Sequence, residues 1–300
     1  MLKTKALCIQ AKVIEDSYTC SDTICYNNEI YNRPETRIVT FELHYPRFIH
    51  SELLTHRVFS KNSSSSRAIP WVKMKELVIN NFATPTFYGK NKSGMQASES
   101  LDEKEIERCD EIIGGHFENT LRALDALYQV GLHKQHLNRY LEPFAPMKTI
   151  LTGTDFKNFF ALRCDSNAQP EIQELAYAMK EAMEQSTPKL LVEGEWHLPF
   201  VCEEEKKTLS TNDCLILSVG RCASVSYRNQ VETLDKAREI YNKLTSSKPI
   251  HASPFEHQAT PIFNISQATH CTFPKNIVYC GNMRGWQTFR NAQTNNVIEG

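Results

Sequence analysis

HSELLTHRVFSKNSSSSRAIP, residues 50–70, is the stretch on which the reading of this chain turns. In it a basic pair, His56 and Arg57, runs into Ser60, Asn62, four consecutive serines (Ser63, Ser64, Ser65 and Ser66) and Arg67. An arginine fork grips two phosphate oxygens at once, while short hydroxyls and exposed backbone N–H groups fill the remaining acceptor sites. The stretch holds no glycine, so neither the GxxxxGK[ST] loop nor GxGxxG applies. A polar surface loop between a strand and a helix is the plain alternative. The apolar segment Ile38 to Leu54 that leads in, and Val58-Phe59 inside the motif, favour a built anion site.

Working outward, Thr36 to Tyr45 alternates with period two and is rich in β-branched and aromatic residues, which predicts a strand ended by Pro46. Phe48 to Phe59 takes helical spacing, so His56 and Arg57 emerge near a helix end. A second helix is expected from Pro70 to about Asn80. Upstream, Ala6 to Ile14 reads as a strand, followed by a long polar loop to residue 35. Downstream, Pro85 to Gln96 carries turn residues and no period, as a cover for the site or a plain connector. Ser98 or Ser100 is placed to cap a long helix over Leu101 to Val130.

Arg139 falls just before the Pro143 break, where a solvated surface arginine is the ordinary expectation. Thr154 is placed to cap a helix that buries Phe156, Phe159 and Phe160, and Pro170 to start the next, running to about Glu184. Arg163, between Leu162 and Cys164, is expected half-buried and in need of an anionic or carbonyl partner, with Asp155 or Asp165 as candidate ion pairs. Residues 186–212, with Pro188, Pro199 and the charged run Glu203 to Lys207, read as a linker. Beyond it come a strand-like Leu215 to Val219, the run Arg221 to Tyr227, an amphipathic helix over Thr233 to Leu244, and His251-Ala252-Ser253-Pro254-Phe255-Glu256-His257.

Hydrophobic residues make up 41% of the 300, enough for one large core or two smaller ones, and a net charge of −1 carries no signature of nucleic-acid or membrane binding. No segment approaches the roughly 20 apolar residues of a membrane helix, and Met1 to Lys12 lacks a signal-peptide run, so a cytoplasmic protein is expected, in a host's cytoplasm if the chain is viral. The ten cysteines include no CxxC pair and no zinc-ligand spacing, which predicts scattered reduced thiols and no metal.

His56-Arg57-x-x-Ser60-x-Asn62-x-x-Ser65-x-Arg67 resembles the signature of the flavin-dependent thymidylate synthases, R-H-R-x-x-S-x-N-E-x-S-x-R, with Thr55 in place of the leading arginine and Ser63 in place of the glutamate. Asn158-Phe159-x-x-Leu162-Arg163-x-Asp165-Ser166-x-Ala168-Gln169-x-Glu171-Ile172 is similar to a second family run. Arg139 resembles the family arginine that precedes Leu-Pro and reaches the nucleotide phosphate, although Glu142 stands where the leucine would. The segment Arg221 to Tyr227 and the box His251 to His257 look like two further family pieces, but they follow the signature here instead of preceding it. Gly285 to Arg290 looks like a second edition of the helix that leads into the signature.

The resemblance implies an α+β fold, helices packed on an antiparallel or mixed sheet, in a long, phage-like member with an internal duplication or permuted order: a first half over 1–185, the linker 186–212 and a second half over 213–300. It assigns catalysis to Arg163, His56 and Ser65. It assigns flavin contacts to His56, Arg57, Asn62, Ser63, Asn158, Ser226, His251 and Ser253, and nucleotide contacts to Glu52, Ser65, Ser66, Arg67, Arg139 and Arg163. It implies FAD as cofactor, NADPH and methylenetetrahydrofolate as co-substrates, and a homo-oligomer, dimer or tetramer. The substrate implied is a deoxypyrimidine monophosphate: dUMP converted to dTMP, or dCMP or dUMP in a flavin-dependent hydroxymethylase or methylase. A carboxylate at Glu52, where the family has glutamine, only accepts hydrogen bonds and so suits an amino group. A catalytically silent nucleotide-binding or RNA-binding module is the reading from another class; near-zero charge speaks against RNA, and the His251 box with Arg163 against silence.

Overall fold

The computed structural model describes residues 3–26, 29–227, 231–264 and 271–293. In chain order its strands are β1 (Gln10–Thr19), β2 (Asp22–Tyr26), β3 (Glu29–Arg33), β4 (Thr36–Pro46), β5 (Ser60–Ser63), β6 (Pro146–Gly153), β7 (Lys189–Leu190), β8 (Ala259–Pro261), β9 (Cys271–Thr272), β10 (Tyr279–Cys280), β11 (Met283–Arg284) and β12 (Trp286–Thr288). Its α-helices are α1 (His50–Thr55), α2 (Trp71–Asn80), α3 (Glu103–Gln129), α4 (Lys134–Leu137), α5 (Lys157–Arg163), α6 (Pro170–Gln185), α7 (Glu203–Thr208), α8 (Thr211–Ala223) and α9 (Leu234–Thr245). The class is α+β.

A five-stranded sheet in the order β5-β6-β4-β1-β7 carries the site. Its strands pair antiparallel except for β1 with β7, which run parallel. The alternation of β4 sorts its side chains onto two faces. Val39, Phe41, Leu43 and Tyr45 join one core, closed by Phe156 and Phe159 around α5 and by Ile172, Leu175, Ala176 and Met179 of α6. Each such aliphatic or aromatic side chain, fully buried, is worth about 1.5–3 kcal/mol. Ile38 faces the other way, against Leu191, Ala259, Met283 and Trp286, and Ile150 of β6 meets Cys222 and Val225 at the end of α8. Residues after 190 therefore cover the second face of a sheet built from residues before it. A separate core joins α2, α3 and the turn before β6.

Thr40 also points to this second face and enters a polar chain sealed from solvent. Its hydroxyl lies 2.8 Å from His197 Nε2 and 2.7 Å from Thr152 Oγ1. His197 Nδ1 reaches Ser17 Oγ at 2.9 Å, and Thr152 reaches His257 Nδ1 at 2.8 Å. Buried polar groups satisfied in this way fix a single register, since a shifted strand would orphan them.

Several expectations are corrected. The polar stretch after β1 is not all loop; it contains the β2–β3 hairpin. Leu215 to Val219 is helical: Ser210 caps α8 by accepting from Asp213 N, and the helix is buried nearly all round, which erases the period that separates a helix from a strand. Asp102, with Glu105 completing a capping box, caps α3 in place of Ser98 or Ser100. Thr154 does not cap α5; its hydroxyl accepts from Arg284 N at 3.0 Å. The span 186–212 is built into the fold, supplying β7, the buried His197 and α7, whose Glu205 forks onto Arg221. Trp286 to Thr288 pairs with β8 as a strand and is not a helix.

Candidate active site

Strand β5 gathers the signature with the two late segments. Asn62 Nδ2 donates to the carbonyl of Cys222 at 2.6 Å, and Ser253 Oγ donates to Asn62 Oδ1 at 3.4 Å. Ser65 N donates to Ser226 Oγ at 3.1 Å. Asn282 Nδ2 adds contacts to the Val58 carbonyl at 3.2 Å and Ser60 Oγ at 3.3 Å. Four stretches far apart in sequence thus meet along one edge of the sheet.

At the C-terminal end of α1 a second constellation forms. Arg163, on the last turn of α5, donates from Nε to His56 Nε2 at 3.0 Å, and its Nη1 lies 3.4 Å from Glu52 Oε2. An arginine has no acceptor, so His56 must accept at Nε2 and carry its proton on Nδ1. Burial, then the charges of Arg163 and Lys61, hold the His56 pKa below the usual histidine value, which keeps the ring neutral as that bond requires. The ring stands edge-on to Phe159, centroids 4.9 Å apart. Phe59 packs beside it at a place where a Cβ on Gly153 would come within 2.6 Å of the Phe59 ring. The partners expected for Arg163 are engaged elsewhere: Asp155 pairs with Arg284 at 3.0 Å, and Asp165 accepts from Asn167 N at 2.8 Å.

Lys61 was not visible as a site residue in the sequence. Its ammonium donates to the His56 carbonyl and approaches the Leu53 carbonyl at 3.5 Å, capping the short α1 and fixing the turn that carries His56. Burial lowers its pKa to about 8 against the opposing pull of Glu256.

At the other end of α1 lies a cavity of about 430 Å³ lined by Ser63 to Ser66, Arg67 and Arg139, together with Arg47, His50, Glu142 and Met147. His50 Nδ1 meets Tyr45 Oη at 2.8 Å, and Tyr45 continues to Thr149 at 2.7 Å and Thr149 to Ser63 at 2.8 Å. A neutral imidazole carries one N–H, on Nε2 where Tyr45 donates to Nδ1 and on Nδ1 where Tyr45 accepts. Burial, with Arg47 and Lys61 nearby, lowers the His50 pKa to about 4, so the ring is a neutral donor near pH 7. Arg47 and His50 are not singled out by the sequence because they lie outside the signature, and Glu142 stands there only as a departure from the Leu-Pro pattern; the pairing of Pro46 with Pro146 brings Arg47 against the Asn138–Phe144 turn. From His50 to His56 the chain rises about 9 Å at 1.5 Å per residue, the order of a nucleotide's phosphate-to-base span.

The structure thus brings Glu52, His56 and Arg163 together, Asn62, Ser65, Ser226 and Ser253 together, and Ser63, Ser65, Ser66, Arg67 and Arg139 together. Arg57 and Asn158 are exposed and stand outside these groups, and His251 is exposed at the turn leading to Ser253.

The Thymidylate synthase complementing protein profile matches residues 24–189, more than half of the chain. The chain belongs to this family. The matched thymidylate synthase complementing region runs from β2 into β7 and holds α1, β5, Arg139 and Arg163. Ser226 and Ser253 come from outside it. A flavin-dependent thymidylate synthase of Pseudothermotoga lettingae is 25% identical over 154 residues, 50% of this chain and 63% of that protein. The match therefore spans less than two thirds of that relative's length. A solved structure of the UMP/dUMP methylase PolB from Streptomyces cacaoi, bound with 5-Br UMP, aligns with a TM-score of 0.48 at 15% identity, over 60% of this chain and 91% of that one. Among the described residues no helix is long and apolar enough to cross a membrane.

Proposed function

We propose that this protein catalyses flavin-dependent transfer of a one-carbon unit from methylenetetrahydrofolate to C5 of a deoxypyrimidine monophosphate, with dUMP to dTMP the favoured reaction. The observation that carries this is the placement of the Arg163–His56–Glu52 constellation and the serine- and arginine-lined cavity at opposite ends of α1. Arg67, Arg139, Ser65 and Ser66 hold the phosphate through charge-assisted hydrogen bonds. Arg163 stabilises negative charge on the pyrimidine as its C5 becomes nucleophilic, and His56 and Glu52 hold that guanidinium in place. Ser65, at the junction of the two groups, is the remaining proposed catalytic side chain.

FAD fits the donor set of β5. Asn62 meets Ser253 and the carbonyl of Cys222 there, and Ser65 N meets Ser226; Ser63, which lines the anion cavity, His56, and the exposed Arg57 and His251 are the further proposed contacts. When bound, the flavin supplies the redox chemistry, with NADPH as reductant; the protein supplies orientation and charge. Asn158 completes the proposed flavin contacts. Exposed Ile112, Leu127 and Tyr128 on α3 support a homo-oligomer. The late position of the 251–257 box supports a permuted or duplicated family order, with halves over 1–185 and 213–300.

Glu52 favours a second reading, hydroxymethylation or methylation of dCMP or dUMP, because a carboxylate beside Arg163 accepts from an exocyclic amino group. Incubation with FAD, NADPH and methylenetetrahydrofolate, dUMP and dCMP in parallel, and product masses separate the two. A methyl gain on dUMP is the expected result. A hydroxymethyl gain on either base moves the protein to the second reading, and no mass gain on either overturns both. A site built for one exocyclic group rejects the other sharply, since buried polar atoms would be left unpaired.

A further inference from the structure

Glu142 is a carboxylate in the wall of a cavity otherwise suited to anions. Its Oε1 lies 2.9 Å from Arg47 Nη2, and both side chains line the cavity beside Arg67 and Arg139. Among the described residues neither Arg67 nor Arg139 has a carboxylate partner. The two unpaired guanidinium charges match the two negative charges of a phosphate monoester dianion. The third cation of the wall, Arg47, is already neutralised. Each further phosphoryl group would bring at least one more negative charge, with Glu142 in place of a free cation to meet it. Without that carboxylate, three arginines and the neutral His50 would make a site for polyphosphates.

We propose that Glu142 is a specificity-determining residue, which restricts the cavity to monophosphate esters by holding Arg47 and by presenting its own negative charge to any second phosphoryl group. Discrimination then comes from a repulsive element as much as from attractive ones. This rests on the nucleotide reading above.

The test is calorimetric titration of the full-length, FAD-supplemented protein with dUMP, dUDP and dUTP, and with dCMP and dCDP. Wild type is expected to bind the monophosphate tighter than the diphosphate by about tenfold or more. Glu142→Gln should narrow that gap, mainly through tighter diphosphate binding, and Glu142→Leu should do the same without a hydrogen-bonding head. Arg47→Gln, which leaves Glu142 unpaired, should weaken the monophosphate as well. The proposal is overturned if wild type binds mono- and diphosphate equally, or if both neutral variants keep the wild-type ratio. Failure of every nucleotide to bind wild type is the distinct signature of a wrong nucleotide reading, and it takes this proposal with it.

Discussion

Arg163→Ala is expected to lower turnover on the preferred nucleotide by about two to three orders of magnitude, the scale of removing a preorganised charge from a reacting site. Binding should change far less, because the cavity proposed to hold the phosphate lies at the other end of α1. The side-chain contacts of Arg163 are those to His56 and Glu52, both within the proposed site, and it remains 23% exposed. A purely structural ion pair with that exposure is worth at most about 1 kcal/mol, so the melting temperature should stay within about 3 °C of wild type. Arg163→Lys keeps the charge but loses the Nε contact, and should recover only part of the rate. Unfolding of Arg163→Ala, or a variant with unimpaired turnover, would contradict the assignment.

The second large effect is on stability in acid. His197 is wholly buried, and burial, followed by the charges of Lys206 and His257, lowers its pKa to about 3. In the unfolded chain it titrates near the ordinary value of about 6.5. Below pH 6.5 the unfolded state therefore binds a proton that the folded state refuses. The stability tied to this group is complete above 6.5 and is lost as pH falls from there toward 3, at up to about 1.4 kcal/mol per pH unit. His197→Phe should flatten that slope. At pH 7.5 it should also cost about 1–3 kcal/mol for each hydroxyl left without a partner, Ser17 being the most affected because Thr40 retains Thr152. Urea midpoints of both proteins at pH 7.5, 6 and 5 measure this. His44, His50 and His56 have lowered pKa values too, so some slope will persist in the variant; an undiminished slope would remove His197 from the account.

What was legible in the sequence was local in origin. β4, α2 and α9 declare themselves through period and start signals, as with Thr233 accepting from Lys236 N. The Glu52–His56–Arg163 group was legible only residue by residue through family resemblance; that these residues touch one another depends on α5 packing against the sheet end. α8 was misread because burial on all sides removes the period, and β2–β3 because its polar composition offers no alternation. The Arg47–Glu142 pair was illegible for a different reason: it exists only through the β4–β6 pairing, which no local pattern encodes. The Ser17–His197–Thr40–Thr152–His257 chain is hidden in the same way, drawing on three strands and two later segments.

Strand β5, joined to Ser226 and Ser253, is proposed to form one face of a flavin site. Purified protein, reconstituted with FAD, should be desalted and denatured, and the supernatant measured at the flavin absorbance bands. Wild type should retain flavin in stoichiometric amount, and Asn62→Ala, which removes the contacts to Cys222 and Ser253, markedly less. A wild-type protein that retains no flavin after reconstitution would contradict that proposal.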